Sequence, residues 1–312
     1  VLAHGAVVRR LYGETPCGRA VMDMRYAGLD ARLHGVGMQR GALFSLLDAA
    51  WERGDALHVD RCIGAIDDGL RRVRDQHGQW HGPFDLVVAT DGAASALRAQ
   101  VRGTRLDRPY PWGALWCLLP AGDWPFADEL RQRYVAARRM IGLLPVGTRP
   151  GDAVPRLSFF WSLPCDGFGA WERAGLEPWL DEIGQLWPEA RQRLQDIAQP
   201  SHLARASYRD AVMDRWYRGR LVLAGDAAHS MSPQLGQGVN MALLDALALR
   251  DALRGQADVD AALARYQAAR QAHVRLYQLW SRWLTPLFQS DRDWIAHARD
   301  LLFRPLGRMP GG

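Results

Sequence analysis

Residues 225–240 have the sequence GDAAHSMSPQLGQGVN and are the most informative part of the chain. They follow a short apolar strand predicted over residues 221–224 and precede an Ala- and Leu-rich helix predicted over 241–253. Gly236 and Gly238 allow backbone conformations that are closed to other residues. The free N–H groups and the positive dipole end of the following helix stabilise negative charge. This order of strand, loop and helix predicts a site for an electron-rich or anionic group.

Individual residues of this stretch suit a ligand with hydroxyl groups. Asp226 comes directly after the strand and can accept hydrogen bonds from sugar-like hydroxyls. Ala227 and Ala228 are small, so a ligand can lie close to the backbone, and Pro233 stiffens the loop. A purely structural strand-to-helix loop is the alternative. The length and order of the whole pattern favour a binding site.

Three segments together resemble one known family. Residues 225–249 resemble the GD motif of class A flavin-dependent monooxygenases, the p-hydroxybenzoate hydroxylase type. Residues 91–98, DGAASALR, resemble the DG motif of that family, although alone they would also suit a tight turn with an Asp cap. Residues 40–47, RGALFSLL, resemble its Arg-containing helix start. The order and spacing of the three fit the family, and the resemblance covers nearly the whole chain.

The resemblance implies FAD as the cofactor, NADH or NADPH as the co-substrate, and O₂. One oxygen atom would pass from a flavin C4a-hydroperoxide to a small, electron-rich, aromatic substrate, the cofactor supplying the difficult chemistry. Asp226 would hold the ribityl chain and Arg40 the ribityl–phosphate region, whereas Asp91 and Arg98 would serve the DG role. No catalytic acid or base is predicted. The expected cofactor-binding residues are Arg40, Asp91, Gly92, Arg98, Gly225, Asp226, Pro233, Gly236, Gln237, Gly238, Val239 and Asn240.

One expected motif is absent from the sequence. The family begins with a βαβ unit whose GxGxxG holds the FAD pyrophosphate. Residues 35–40, GVGMQR, come closest, but Arg40 stands where the third glycine belongs and no initial strand precedes them. We therefore expect a fragment that is truncated at its N-terminus relative to the family.

The predicted fold class is α/β with some α+β elements. A Rossmann-like domain for FAD and NAD(P), truncated at its N-terminus, is interleaved with a sheet-containing substrate domain and followed by helices. The expected domains are strands of the substrate domain at 1–34, FAD-binding segments at 35–105 and 206–255, the substrate domain at 106–205, and C-terminal helices at 256–312. The substrate domain is rich in tryptophan, which fits either an aromatic pocket or a core. The residues in question are Trp112, Trp116, Trp124, Trp161 and Trp171.

Composition excludes several classes of function. The net charge of +5 comes from arginine alone, because the 312 residues contain no lysine. Schiff-base and phosphate-loop lysines are therefore excluded. The arginines are scattered, so no nucleic-acid partner is expected. The four cysteines are far apart, and His77 and His81 lie in a Gly/Pro-rich loop, so no metal site is expected.

Neither a membrane-spanning run nor a signal peptide is present in the sequence, which predicts a cytoplasmic protein. The sequence is compatible with a homodimer.

Other functions remain open on the sequence. The same fold could serve a flavin reductase of isoprenoid double bonds; a flavin halogenase is disfavoured because a lysine is central to its chemistry. A truncated, inactive remnant that only binds a partner through exposed apolar surface is a third possibility. A hydrolase triad of Asp226, His229 and Ser230 or Ser232 is disfavoured, because neighbours in one loop rarely converge and no GxSxG is present.

Overall fold

The computed structural model describes residues 1–51, 56–67, 69, 71–292, 294–295 and 299. The chain forms two compact units, each built from segments that are distant in sequence. The first unit comprises Val1–Leu57, Pro111–Ser207 and Pro286–Gly312, and the second comprises His58–Tyr110 and Tyr208–Thr285.

In the described residues, strands and helices occur in runs along the chain, with four strands before the first α-helix and three α-helices after the last strand. The strands are β1 (Ala6–Val8), β2 (Arg10–Glu14), β3 (Ala20–Arg25), β4 (Gly35–Gly37), β5 (Ile63–Asp67), β6 (Arg72–Asp75), β7 (Trp80–His81), β8 (Val87–Ala89), β9 (Thr104–Pro120), β10 (Glu129–Val135), β11 (Arg139–Arg149), β12 (Asp152–Pro164), β13 (Ala204–Met213), β14 (Tyr217–Arg218) and β15 (Leu221–Leu223). The helices are α1 (Arg40–Ala49), α2 (Phe168–Ala174), α3 (Leu176–Leu186), α4 (Pro188–Arg193), α5 (Asp226–His229), α6 (Gly238–Arg254) and α7 (Val259–Phe288).

The first unit contains strands β12, β11, β10, β2 and β3 and parts of β9 and β13 of a seven-stranded sheet, whose strand order is β13-β9-β12-β11-β10-β2-β3. Its pairs are mostly antiparallel, with Phe159 opposite Cys117 and Ile141 opposite Trp161, whereas β10 and β2 are parallel. One face packs against α2, α3 and α4. The core that results includes Leu115, Leu143, Leu157, Phe159, Trp161, Trp179, Leu180 and Ile183.

The tryptophans of this region belong largely to that core. Trp161 and Trp124 are members of the buried cluster, and Trp171 packs against it. Trp112 is buried and Trp116 is half-buried. The core interpretation of the tryptophan-rich segment is therefore supported for three of the five residues, and a pocket lining is not required to explain them.

The second unit contains a small sheet with strand order β14-β15-β8. β15 and β8 run parallel, with Leu221 opposite Val87 and Leu223 opposite Ala89. All three residues of β15 are buried, in one cluster with side chains of α6 and α7 such as Met241 and Tyr266. A second sheet is formed by the antiparallel strands β5, β6 and β7. The predicted α/β class is confirmed.

Some local predictions were wrong. The sequence that follows residues 90–92 predicts a helical segment through Arg98, but the structure has turns there that end in a single 3₁₀ turn, Arg98–Gln100. The sequence predicts two C-terminal helices, 258–283 and 291–303, with Pro286 between them, yet Pro286 lies within the end of α7. Most of the second predicted helix lies outside the described residues. A proline in the last turn removes only one N–H bond near the helix end, so α7 continues a short distance past it.

The compact units group two segments differently from the predicted domains. Residues 35–57 cluster with the first unit, because β4 pairs with β1 and both pack on β11. Residues 259–285 cluster with the second unit, because Ala262, Leu263 and Tyr266 of α7 join its core. Which segments form functional domains stays a prediction. In the described part of the chain, no helix combines the length and apolarity needed to cross a membrane.

Candidate functional site

The two motif turns of the second unit follow neighbouring parallel strands. The N–H of Ala224 donates to the carbonyl oxygen of Ala89 at 3.1 Å, which continues the pairing of β15 with β8 to the ends of both strands. Asp91 follows β8, and Asp226 follows β15. Because parallel strands end at the same edge, both acidic residues lie at the edge where open α/β sheets bind their ligands.

Gly225 forms the sharp turn between β15 and α5. Its φ of 60° and ψ of −141° lie in a region that glycine alone adopts readily. Its carbonyl oxygen accepts the N–H groups of Ala228 and His229 at 2.9 and 3.0 Å, which starts α5. A Cβ atom on Gly225 would also lie 3.2 Å from the Cβ of Ala242. Conformation and crowding together require glycine at this position.

Arg98 connects the two motifs through the backbone. Its guanidinium donates to the carbonyl oxygens of Asp226 and Ala227, both at 2.8 Å, and to that of Gly92 at 3.4 Å. Arg98 as a whole is 1% exposed. It also pairs with Asp107 at 3.2 Å. The group predicted to serve the cofactor therefore holds the GD turn in place from within the unit.

The carboxylate of Asp107 is part of the same arrangement. Burial opposes its ionisation, but hydrogen bonds from Arg209 and Arg98 outweigh this effect and hold the pKa of Asp107 below its usual range. Asp107 therefore stays ionised opposite the Arg98 guanidinium at neutral pH.

Asp91 caps the turn that follows it. Its Oδ2 atom accepts the N–H groups of Ala96 at 2.9 Å and Leu97 at 3.3 Å, while Gly92 adopts a φ of 81°. These bonds explain why the segment turns instead of continuing as a helix. They fit the interpretation of the DG motif as a capped turn, and the exposed Asp91 side chain keeps further acceptor capacity.

A wide cleft lies beside this turn. It has a volume of about 980 Å³ and is lined by β8, by residues 60–63 and by the segment from Thr90 to Leu97, with Asp91 among the lining residues. Most of the β8 contribution is apolar, from Val87, Val88 and Ala89. The second unit thus offers a space of ligand size directly at the DG motif.

The loop after α5 brings a helix N-terminus to Asp226. A 3₁₀ turn, Pro233–Leu235, ends at Gly236 in the left-handed conformation, and the 17-residue helix α6 begins at Gly238. A Cβ atom on Gly238 would lie 3.9 Å from Oδ1 of Asp226. The exposed Asp226 carboxylate and the free N–H groups of α6 are therefore adjacent.

The remaining predicted residues lie mostly at the surface. Val239 and Asn240 are exposed in the first turn of α6, and the Asn240 amide donates to Oε1 of Gln237 at 2.9 Å. Pro233 is exposed, and Gln237 precedes the helix. Arg40 belongs to the first unit, where it is the exposed first residue of α1. Its role toward a cofactor stays a prediction.

His229 does not take part in a hydrolase triad. Its Nε2 atom lies 2.6 Å from Oδ2 of Asp245, a residue of α6, and not from Asp226. The hydroxyl of Ser232 is bonded to Ser281 at 3.0 Å and to Thr285 at 2.7 Å. His229 and Ser232 thus bond residues of α6 and α7 and not each other, so this loop does not contain the alternative of a hydrolase triad with Ser232 as the nucleophile.

Asp245 is a residue of this site that was not predicted from the sequence. This carboxylate is fully buried and binds His229, Arg270 and the backbone of Gly225. One signal could have identified it: Asp245 is the only charged residue in the apolar stretch 241–249, and a carboxylate on the buried side of a helix requires partners.

No metal site forms in the part of the chain that the structure covers, where no cluster of three or more His, Cys, Asp or Glu side chains suits an ion. His77 is exposed, as expected for the loop. His81 differs from the expectation, since it lies in β7 and bonds Asp75 at 2.8 Å.

Comparison with known proteins identifies the family. A model described as an FAD binding domain matches residues 72–279, which include both motif turns and the helix α6. The chain belongs to this FAD-binding family. The resemblance to class A flavin-dependent monooxygenases is thereby confirmed.

Relatives of the chain include an FAD-dependent hydroxylase and a monooxygenase. The chain is 32% identical over 226 residues to the FAD-dependent urate hydroxylase of Klebsiella pneumoniae, covering 70% of this chain and 53% of the relative. It is 29% identical over 292 residues to kynurenine 3-monooxygenase of Xanthomonas campestris pv. campestris, covering 86% and 60%. The chain thus spans about half to three fifths of the length of these curated relatives.

The fold is shared with solved structures. A variant of Klebsiella pneumoniae HpxO complexed with FAD superimposes with a TM-score of 0.80 at 24% identity, covering 97% of this chain and 80% of that one. At this identity the match establishes a common fold for the FAD-binding chain and leaves its substrate open.

Proposed function

We propose that this protein is an FAD-dependent monooxygenase that uses NADH or NADPH and O₂ to hydroxylate a small aromatic compound. One observation carries the proposal: the Asp226 carboxylate is exposed beside the N-terminus of α6, on a backbone fixed by Gly225 and Arg98. A rigid acceptor next to a helix N-terminus suits a ligand that combines hydroxyl groups with developing negative charge.

FAD has this combination of groups. When bound, it supplies the transfer of electrons from the pyridine nucleotide and the activation of oxygen. Asp226 would accept hydrogen bonds from the ribityl hydroxyls, and Pro233 with residues 236–240 would face the isoalloxazine ring. The N–H groups and dipole of α6 would stabilise negative charge on that ring.

The other predicted contacts complete the proposed site. Asp91 and Gly92 would present the turn beside the cleft to FAD and to the reduced pyridine nucleotide. Arg98 would act there by fixing the backbone of both motifs, since its donors are already directed to carbonyl oxygens and to Asp107. Arg40 would contact the ribityl–phosphate part.

The proposed substrate class follows the relatives. Urate and kynurenine, named for two of them, are small compounds with nitrogen and a ring system. A substrate of this kind is electron-rich at ring carbons, which is where a flavin monooxygenase would insert oxygen.

The purified chain tests the proposal directly. We expect it to bind added FAD with a change in flavin fluorescence, and to consume NADH or NADPH and O₂ when an accepted aromatic compound is added. ¹⁸O₂ should label the product. Asp226→Ala should weaken FAD binding by about tenfold or more, the scale of a lost hydrogen bond to a charged acceptor. Asp251→Ala, an exposed change on the same helix α6, is the control and should leave binding unaltered.

A second candidate function is a binding module without catalysis. The helix α6 exposes Val239, Leu243, Leu244 and Leu247, and β8 exposes Val88, which together offer apolar surface for a partner. FAD binding without any consumption of pyridine nucleotide, or no FAD binding at all, would favour this candidate over the monooxygenase.

A further inference from the structure

A buried carboxylate lies directly behind the Gly225–Asp226 turn. Asp245 is 0% exposed, in the middle of α6. Its Oδ2 atom accepts the backbone N–H of Gly225 at 2.8 Å and also faces Nε2 of His229 at 2.6 Å. The residue that precedes Asp226 and the helix that follows it are thus joined through one side chain.

A cation on α7 compensates the charge. Nε of Arg270 donates to Oδ1 of Asp245 at 2.8 Å, and its guanidinium also contacts Met241 and His273. Burial opposes ionisation of Asp245, but the bonds from His229 and Arg270 outweigh it and keep its pKa below the usual range. The carboxylate is therefore ionised and acts only as an acceptor.

The imidazole of His229 fixes the orientation of this carboxylate. Because the Asp245 oxygens only accept, the hydrogen must sit on Nε2 of His229. The ring is 2% exposed and packs against Trp216 with ring centroids 5.2 Å apart. A bulky, immobilised donor on one side and Arg270 on the other leave the carboxylate with little freedom to turn.

We propose that Asp245, oriented by His229 and Arg270, is a positioning residue that sets the direction in which Asp226 leaves the turn. Asp245 accepts the N–H of Gly225, the residue before Asp226, while Arg98 donates to the carbonyl oxygen of Asp226 itself. Asp226 itself forms the surface of the site. The three residues act through the backbone and need not touch a ligand.

This inference rests on the proposed function for its consequence, since a displaced Asp226 matters only where it binds a flavin. The positioning itself is a property of the free protein. The amide of Gly225 should be strongly protected from hydrogen exchange, because its N–H is buried and bonded to an ionised acceptor.

The chain contains a matched control for Asp245. Asp75 is 4% exposed and, like Asp245, bonds a histidine (His81) and an arginine (Arg61); it accepts two backbone N–H groups where Asp245 accepts one. It lies in the hairpin of β6 and β7 and is not bonded to either motif turn. Replacing either Asp by Asn directs an NH₂ group at a donor, so both variants lose a comparable buried network.

The experiment compares Asp245→Asn with Asp75→Asn by hydrogen–deuterium exchange of free protein and by FAD titration. We expect exchange of the peptide containing Gly225 and Asp226 to accelerate about tenfold or more in the Asp245 variant only. We expect FAD affinity to fall by a similar factor, again only in that variant. Equal effects of both variants, or unchanged protection of Gly225, would overturn the proposal.

A second pair of variants covers the case in which Asp245→Asn does not fold. His229→Gln keeps an N–H donor for Asp245, whereas His229→Ala removes it. The glutamine variant should retain protection of the Gly225 peptide and FAD affinity close to those of the parent, and the alanine variant should lose both. If the parent chain binds no FAD, the proposed function fails, but the exchange measurements still decide whether Asp245 positions the turn.

Discussion

The guanidinium of Arg98 donates a 2.8 Å hydrogen bond to the carbonyl oxygen of Asp226, 128 residues further along the chain. The same group binds the carbonyl oxygens of Ala227 and Gly92. A planar, permanently charged side chain can satisfy several carbonyls at fixed angles, which lysine could not do. The DG and GD motifs are therefore linked by hydrogen bonds from one side chain, and this explains why the DG motif ends in an arginine.

Arg98→Ala should destabilise the protein by about 3 kcal/mol. The substitution removes the donor to the buried carbonyl oxygen of Ala227 and to the part-buried ones of Asp226 and Gly92, and a buried acceptor without a donor costs about 1–3 kcal/mol. Arg105→Ala is the comparison, since Arg105 forms an exposed pair with Asp214 and should change stability by about 0.5 kcal/mol or less. Chemical denaturation of both variants measures the difference. Equal effects would mean that Arg98 does not join the two motifs.

Gly225→Ala should destabilise the fold by about 1–3 kcal/mol, the cost of forcing a side chain into a conformation reserved for glycine. The new Cβ atom would also approach Ala242. Gly64→Ala provides the control, because a Cβ there meets no atom within 4 Å and its φ is not positive. Thermal unfolding should show a clear loss for the first variant and little change for the second; a neutral Gly225→Ala would contradict the turn geometry.

The local sequence pattern was sufficient to predict the backbone elements on either side of Gly225. The apolar strand, the glycine turn at Gly225 and the helix after Gly238 occur in the predicted order. Hydrophobic periodicity and turn-forming residues determine such elements through neighbours only a few positions away in the sequence. A similar local signal predicts a short buried strand over residues 84–89, FDLVVA, and Asp91 follows β8 in the structure. The family was identified from the GD and DG motifs together with residues 40–47.

Long-range partners could not be predicted in this way. The contact of Asp245 with Gly225 and that of Arg98 with Asp226 join residues 20 and 128 positions apart. The local sequence does not predict which distant backbone group a buried charged side chain will hydrogen-bond. The helix expected before Arg98 was wrong for a related reason, because the Asp91 carboxylate takes the N–H groups of Ala96 and Leu97.

The stability of the protein should depend on the ionisation of Asp75. Hydrogen bonds from His81, two backbone N–H groups and Arg61 hold the pKa of this carboxyl below its usual range despite burial. A depressed pKa in the folded state stabilises the fold fully above the unfolded pKa, about 3.9, and the contribution is lost as pH falls through the folded pKa. The parent and Asp75→Asn should therefore differ most above about pH 5 and converge in acid. A constant difference at all pH values in denaturant titrations would exclude this linkage.

Substitution of two tryptophans, one buried and one exposed, tests whether the tryptophan-rich segment contributes to the hydrophobic core. Trp161 is 2% exposed and packs edge-on against Trp179 with ring centroids 6.0 Å apart, whereas Trp283 is 76% exposed. Trp161→Ala should cost about 3–5 kcal/mol, as for other large aromatic deletions in cores. Trp283→Ala should change stability by about 0.5 kcal/mol or less, as is usual at the surface. Calorimetric unfolding of the two variants provides the comparison. If Trp161→Ala left stability intact and altered only ligand binding, the residue would line a pocket and the core assignment would be wrong.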